Sequence, residues 1–232
     1  MHIQKGIQAF SGRADADLRT LFNSDPRNKK VTLGSASRTR RDLLQELADV
    51  YGFSFDILTA DLDERSIGDR AASPEHLVTL LAKAKADALM PQLMDRPAHE
   101  RPRFLITCDQ VVVHKGKVLE KPQNADEVRQ FVSGYSAAPP STVGSVLVQD
   151  ISSGGQYSAV DSTTVHFQPI PDDTIEQLIQ EGTVFSCAGG LMIEHPLVTP
   201  LILSIEGTRD SIMGLPQKLV LEGFLSAAHP KP

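Results

Sequence analysis

The sequence predicts an α/β protein in which helices cover a mixed β-sheet. Three observations carry this. Segments of strand and helix character interleave along most of the 232 residues. Two β-hairpins interrupt what would otherwise be a parallel βαβ succession. No tandem repeat or low-complexity linker divides the chain. The length suits one domain of the larger kind, with an ample core. Residues 30–232 form that domain in this reading. Residues 1–29, mixed in composition and weakly periodic, are set apart as a partly ordered N-terminal extension.

The elements follow in order. "KVTLGS" is a short buried strand ending at a glycine. From Ser37 the period becomes helical, with Leu43, Leu44, Leu47 and Val50 at three- and four-residue steps and Gly52 as the stop. "FSFDIL" is a second strand. "SPEHLVTLLAKAKADALM" is the strongest helix: Ser73 suits the cap, Pro74 the first turn, and Leu77, Leu80 and Leu81 form a stripe. "PRFLITCDQVVVHKGKVLEKP" is a strand followed by a hairpin turning at "KG". "NADEVRQFVSG" pairs Asn124 with Glu127 as a capping box and ends at Gly134. "STVGSVLVQD" and "YSAVDSTTVHFQPI" are β-rich, with "SSGG" as their turn. "DDTIEQLIQEG" is a helix with an acidic start and a glycine stop. "LILSIEG" and "DSIMGLP" read as strands, and Pro216 opens a last helix.

Composition excludes several classes. The formal net charge of -6 argues against a nucleic-acid polymer as partner. Nine Phe, three Tyr and no Trp make a poor stacking platform for single strands. No apolar run approaches the roughly 18 residues of a membrane span, and no secretory h-region opens the chain. Two cysteines without a CxxC offer neither a disulfide framework nor a thiolate zinc site. The expectation is a soluble protein of the cytoplasm. The P-loop, Rossmann, zincin and nucleophile-elbow motifs are all absent.

Against the acidic background, "LGSASRTRRDLL" (33–44) is a local exception. A strand running through Gly34 and Ser35 into a helix leaves backbone N–H groups free at a positive helix end. Ser35 and Ser37 add hydroxyls, and Arg38, Arg40 and Arg41 add forked cations suited to phosphate. The other reading is a solvated helix start with surface arginines. Asp109 stands at the end of an apolar run, where a carboxylate holds a metal, takes a proton from water or caps a turn. Lys121 follows twelve positions later, across the hairpin, and Lys85 is one of two lysines in "LLAKAKA". Asp63 and Glu64 form a loop pair suited to Mg²⁺ or to plain solvation. In "CAGGLMIEHP" two glycines allow close backbone approach to a ligand. Glu194 there either bonds a base edge or ends a strand, and His195 is structural.

These clusters, in this order, resemble the Maf family of nucleoside triphosphate pyrophosphatases. The family's L-A-S-x-S-P-R-R-x-x-L-L stands here as "LGSASRTRRDLL". Its acidic pair stands as Asp63-Glu64, its A-x-x-K-A as Ala82, Lys85 and Ala86, and its A-D-T-V-V as "CDQVV" with Asp109 in place. Its G-K-P stands as "EKP" with Lys121, and its later A-G and G-L-P as Ala188-Gly189 and Gly214 to Pro216. The resemblance covers residues 31–226. It implies an elongated mixed sheet flanked by helices, shared with inosine triphosphate pyrophosphatases. It implies a divalent cation (Mg²⁺ or Mn²⁺), a homodimer, and hydrolysis of a nucleoside triphosphate to monophosphate and pyrophosphate. Asp109 becomes general base or metal ligand, Glu64 the second metal ligand, and Lys121 a catalytic cation. Ser35, Arg40, Lys85 and Lys121 grip the triphosphate, while Gln110 and Glu194 read the base. Departures from the pattern are Arg38 and Thr39 in place of the proline and first arginine of the usual S-P-R-R, which leaves Arg40 as the matching arginine, Gln110 in place of threonine, Glu194 in place of glutamine, and "SGYSAAPPSTVG" without its histidine. Gln110, Glu194 and "EGTRD" resemble the branch associated with N7-methylated GTP. The alternatives are a preference for dTTP, UTP or CTP, and a binding protein that regulates division without turnover.

Overall fold

The computed structural model describes residues 12–229. Seven strands form one mixed sheet. The strands are β1 (Lys30–Leu33), β2 (Ser54–Ile57), β3 (Phe104–His114), β4 (Lys117–Leu119), β5 (Ser141–Asp150), β6 (Gln156–Phe167) and β7 (Ile202–Glu206). Their order is β2-β1-β3-β5-β6-β7, with β4 beside β3. β1 is parallel to both β2 and β3, and the remaining pairings are antiparallel. The helices are α1 (Arg13–Ser24), α2 (Arg38–Tyr51), α3 (Pro74–Met94), α4 (Ala125–Ser133), α5 (Asp172–Glu181), α6 (Arg209–Ile212) and α7 (Gln217–Ala228). Among the described residues, no helix is long and apolar enough to cross a membrane.

The local signals act as expected at most ends. Ser37, Ser73 and Asn124 each accept a backbone N–H of the first helical turn, and Gly52 closes α2 in the left-handed region. The Glu127 carboxylate reaches back past Asn124 and accepts the N–H of Gln123, so the box closes one residue before the cap.

Side-chain alternation along β3 places the layers. Phe104, Ile106 and Cys108 face a core shared with α1, α2 and α7. Leu105 packs with Ala82, Ala86, Leu89 and Leu93 of α3, and Val111 with Leu77, Val78 and Leu81 nearer the helix start. Beyond residue 110, Val112 joins a second cluster built from α4, α5, β6 and the segment 184–198.

Two expectations need correction. Residues 13–24, inside the stretch set apart as an extension, form helix α1, whose Leu18 and Phe22 are fully buried in the same core as β1 and β3. Its helical period is hard to see because three apolar contacts suffice on an otherwise polar helix. Residues 1–11 of that stretch lie outside the described residues. "DSIMGLP" is not a strand: Arg209–Ile212 is a helical turn. Asp210 folds it back, its carbonyl accepting Leu215 N–H and its carboxylate accepting Gln217 N–H at 2.7 Å.

Candidate active site

The site begins with a gap in the sheet. On the edge of β3 away from β5, residues 104–106 pair with β1 and residues 112–114 pair with β4. Between them the ladder is open, and Asp109 lies in the opening. Backbone groups in such a gap still need partners. Gly34 N–H donates to Ile106 O at 2.7 Å, and Arg40 Nη1 donates to Cys108 O at 3.2 Å. Arg40 thus stands where the next strand would have stood. A cleft of about 800 Å³ opens over this gap.

Asp109 is 7% exposed and faces α3. Ala82 and Ala86 are fully buried, so α3 sits close on the sheet, and Thr107 Oγ1 donates to Ala82 O to fix the contact. That approach carries Lys85 Nζ to 2.5 Å from Asp109 Oδ1 and 3.1 Å from Glu64 Oε2. Burial pushes the Asp109 carboxyl above its ordinary range; Lys85, and then Arg40, oppose the shift. A carboxylate so placed is a better proton acceptor than an exposed one.

The cleft is lined by all eight residues singled out from the sequence: Ser35, Arg40, Glu64, Lys85, Asp109, Gln110, Lys121 and Glu194. Their surroundings sharpen several roles. Ser35 Oγ accepts from Ser37 N–H and from Arg40 Nη1, which leaves its O–H to donate. Arg40 is a clamped cation, its Nε also donating to Gly214 O at 2.8 Å. Gln110 Nε2 donates to Ile212 O, also at 2.8 Å. A β-carbon at Gly214, where φ is +93°, would lie 2.7 Å from Gln110 Oε1 and 3.0 Å from Arg40 Nε. Gln110, Arg40 and Gly214 therefore lock the turn between α6 and α7 against β3. Lys85 bridges two carboxylates, whereas Lys121 and Glu194 are exposed on the walls. Asp63, the other half of the acidic pair, is turned to capping, its carboxylate accepting Arg65 N–H.

The glycine pair serves packing and not a ligand. A β-carbon at Gly189 would meet Tyr135 Oη at 2.6 Å and Val112 at 2.8 Å. Tyr135 Oη donates to Gly189 O at 2.5 Å, so the close approach is to the protein's own core. No strand ends at Glu194, which follows a run of short turns. His195 Nε2 lies 2.7 Å from Glu181 and Nδ1 accepts Leu197 N–H, a structural arrangement.

Cleft residues with no signal in the sequence include Arg65, Cys187, Met192, Ile212 and Met213. The apolar ones come from short turns, where no periodicity marks a face. Arg65 was hidden beside the more conspicuous acids. Cys187 is no nucleophile: burial, then Glu194, pushes its thiol up to about 11.

Of the cleft carboxylates, Asp109 and Glu64 share Lys85 Nζ, and these two would hold a divalent cation. Among the described residues no group of three His, Cys, Asp or Glu side chains converges. Two hard carboxylates are the donor set of a Mg²⁺ whose other ligands are water and substrate phosphates, so these residues fit that mode.

A mixed sheet with a buried carboxylate beside an open stretch of ladder, beneath a cleft carrying five cationic side chains, defines an α/β protein with a charged cleft as its candidate site. The chain belongs to the family described as Maf-like protein, which matches residues 30–226. It is 34% identical over 193 residues to a 7-methyl-GTP pyrophosphatase of Dictyostelium discoideum, covering 83% of this chain and 94% of that protein. It is 33% identical over 188 residues to a nucleoside triphosphate pyrophosphatase of Salinispora tropica, covering 80% and 78%. It is 30% identical over 188 residues to a dTTP/UTP pyrophosphatase of Pelotomaculum thermopropionicum, covering 81% and 91%.

Proposed function

We propose that this chain is a nucleoside triphosphate pyrophosphatase, a hydrolase acting on an acid anhydride. The observation that carries the reading is Asp109, buried in the break of the sheet and held by Lys85 beneath a cation-lined cleft. Asp109 accepts a proton from water as the water oxygen bonds to the α-phosphorus. The bond from that phosphorus to the bridging oxygen breaks, and its electron pair leaves with pyrophosphate. Ser35, Arg40 and Lys121 meet the phosphates, and fixed cations cost no reorganisation as charge grows on the leaving group. Lys85 orients Asp109. Asp109 and Glu64 would hold Mg²⁺ or Mn²⁺, which when bound supplies Lewis-acid polarisation of the phosphate.

The proposal extends to the base. Glu194, exposed on the cleft wall, accepts hydrogen bonds from the N1–H and exocyclic amine of guanine, and N7-methylation adds a positive charge that a carboxylate favours. This supports a 7-methylated GTP, the substrate named for the Dictyostelium relative. The similarity to dTTP/UTP pyrophosphatases favours a pyrimidine substrate as the second reading. Gln110 supports either choice indirectly, by holding the Ile212–Met213 wall. We place the protein in the cytoplasm as a homodimer without a nucleic-acid polymer as partner. Two free thiols and the net charge of -6 support the compartment and the absence of a polyanion; light scattering tests the dimer.

The deciding experiment is pyrophosphate release from 7-methyl-GTP, GTP, UTP, dTTP and CTP with Mg²⁺ or Mn²⁺, using wild type and Asp109→Asn. The variant is expected to lose more than tenfold in kcat, about 1.4 kcal/mol in barrier, while still binding nucleotide. An Asp109→Asn protein with near wild-type turnover would remove the proton-accepting role. In the same panel Glu194→Gln should move the ranking toward UTP and dTTP.

A further inference from the structure

The cations of the cleft are not equally available to a ligand. Lys85 is neutralised between Asp109 and Glu64. Arg40 spends donors on Gly214 O, Cys108 O and Ser35 Oγ. Arg38 is 86% exposed and leans on Asp42 at 3.8 Å. A triphosphate brings several negative charges, and Lys121 alone is a thin answer to them.

Arg65 is the remaining cation of the lining. Among the described residues it has no carboxylate partner, although Asp63 and Glu64 precede it directly. Its backbone is fixed, since Arg65 N–H donates to Asp63 Oδ1. Its guanidinium reaches the opposite lip: with the Gln123 amide oriented to satisfy both groups, Gln123 Oε1 accepts from Nη1 at 3.1 Å and Nη2 at 2.6 Å. Gln123 is two residues beyond Lys121. A second link holds the same two loops together. Arg70 Nη2 donates to Glu64 O at 2.7 Å and to Glu120 Oε1 at 3.2 Å, and Nη1 donates to Ile67 O. The loop carrying Glu64 and Arg65 is thereby held beside the loop carrying Lys121.

We infer that Arg65 is a substrate-binding residue that, with Lys121, takes the pyrophosphate part of the triphosphate, and that Gln123 and the Arg70–Glu120 pair position the two cations. A neutral amide is a weak partner for a guanidinium, so a phosphate oxygen displaces it at little cost, whereas a carboxylate would compete. The inference rests on the pyrophosphatase reading for its ligand.

The test is calorimetric titration of inorganic pyrophosphate and of the nucleoside monophosphate into wild type, Arg65→Ala, Arg65→Lys and Arg41→Ala, alongside turnover of the triphosphate. Arg65→Ala is expected to weaken pyrophosphate about tenfold or more and to raise KM for the triphosphate to match, with monophosphate binding within about twofold. Arg65→Lys should recover part of the loss. Arg41→Ala, outside the cleft, should change nothing. Pyrophosphate binding unchanged in Arg65→Ala, or pyrophosphate and monophosphate weakened equally, overturns the assignment. A wild type that binds pyrophosphate through Arg65 yet hydrolyses no triphosphate overturns the pyrophosphatase reading and leaves this one standing.

Discussion

An ammonium 2.5 Å from Asp109 and 3.1 Å from Glu64 sets two opposed influences on one buried carboxyl. Burial raises its pKa, and Lys85 is the largest influence lowering it. Lys85→Met should therefore raise it further. If ionised Asp109 takes the proton, the acidic limb of the kcat/KM profile moves to higher pH, and kcat falls by about 10² as orientation is lost. An acidic limb that stays in place would show that another group titrates. The same shift has a stability consequence in metal-free protein. The native pKa lies above the unfolded one, so the native state binds more protons in the interval between them. Stability is full below the ordinary carboxylate range and is lost as pH rises through the raised value. Asp109→Asn escapes that loss, so its Tm relative to wild type should climb as pH rises from the ordinary carboxylate range through the raised value; a constant difference would contradict the raised pKa. Gln110→Met tests a different point. It keeps the length of the side chain but cannot donate to Ile212 O, freeing the Ile212–Met213 wall. The expected result is a raised KM for the nucleotide with kcat nearly unchanged; a lowered kcat at constant KM would place Gln110 in the chemical step.

Helix α1 shows how much an element contributes when its sequence signal is faint. Phe22 stacks on Phe53 with centroids 4.9 Å apart and meets Phe104 and Phe224 edge-on. Phe22→Ala should cost about 3–5 kcal/mol, the usual range for removing a buried aromatic ring. In thermal unfolding that is a drop of roughly 10 °C for a chain of this size. A drop under about 2 °C would mean that α1 contributes little to the core. Helix α3 is fixed by small residues. Ala82 and Ala86 allow the approach that Thr107 Oγ1 and Ser145 Oγ secure by donating to Ala82 O and Val78 O. Ala82→Leu should push α3 outward, costing about 1–3 kcal/mol and drawing Lys85 from Asp109. Activity should then fall more than stability alone explains.

At the scale of the molecule, the cleft joins walls from different core clusters. α2 and β3 supply one side, while 183–194 and 212–213 supply the far wall. Ligand that binds only the folded chain should stabilise both halves together, by about 2.7 kcal/mol at a hundredfold excess over Kd. One unfolding transition should move up by about 5–10 °C; a transition that splits, with only part shifting, would show that the clusters unfold independently.

Local chemistry made much of this legible beforehand. Caps such as Ser37, Ser73 and Asn124 act within one turn, so their spacing alone located helix starts. Strand periods marked β3 and β5, and the ordered motifs brought Asp109, Glu64 and Lys121 to notice before any fold was known. What the sequence left open depends on contacts between residues far apart in the chain. Whether Arg40 was a free phosphate cation or a clamped one was decided by Gly214, 174 positions away. Whether Lys85 was solvated was decided by two buried alanines and by Asp109 on β3, which packing brings against α3. Where the Gln110 amide donates was decided by the turn at Ile212, 102 positions on. Spacing along the chain reports hydrogen bonds and faces within an element; a side chain's role in the cleft is set by which other elements packing brings against it.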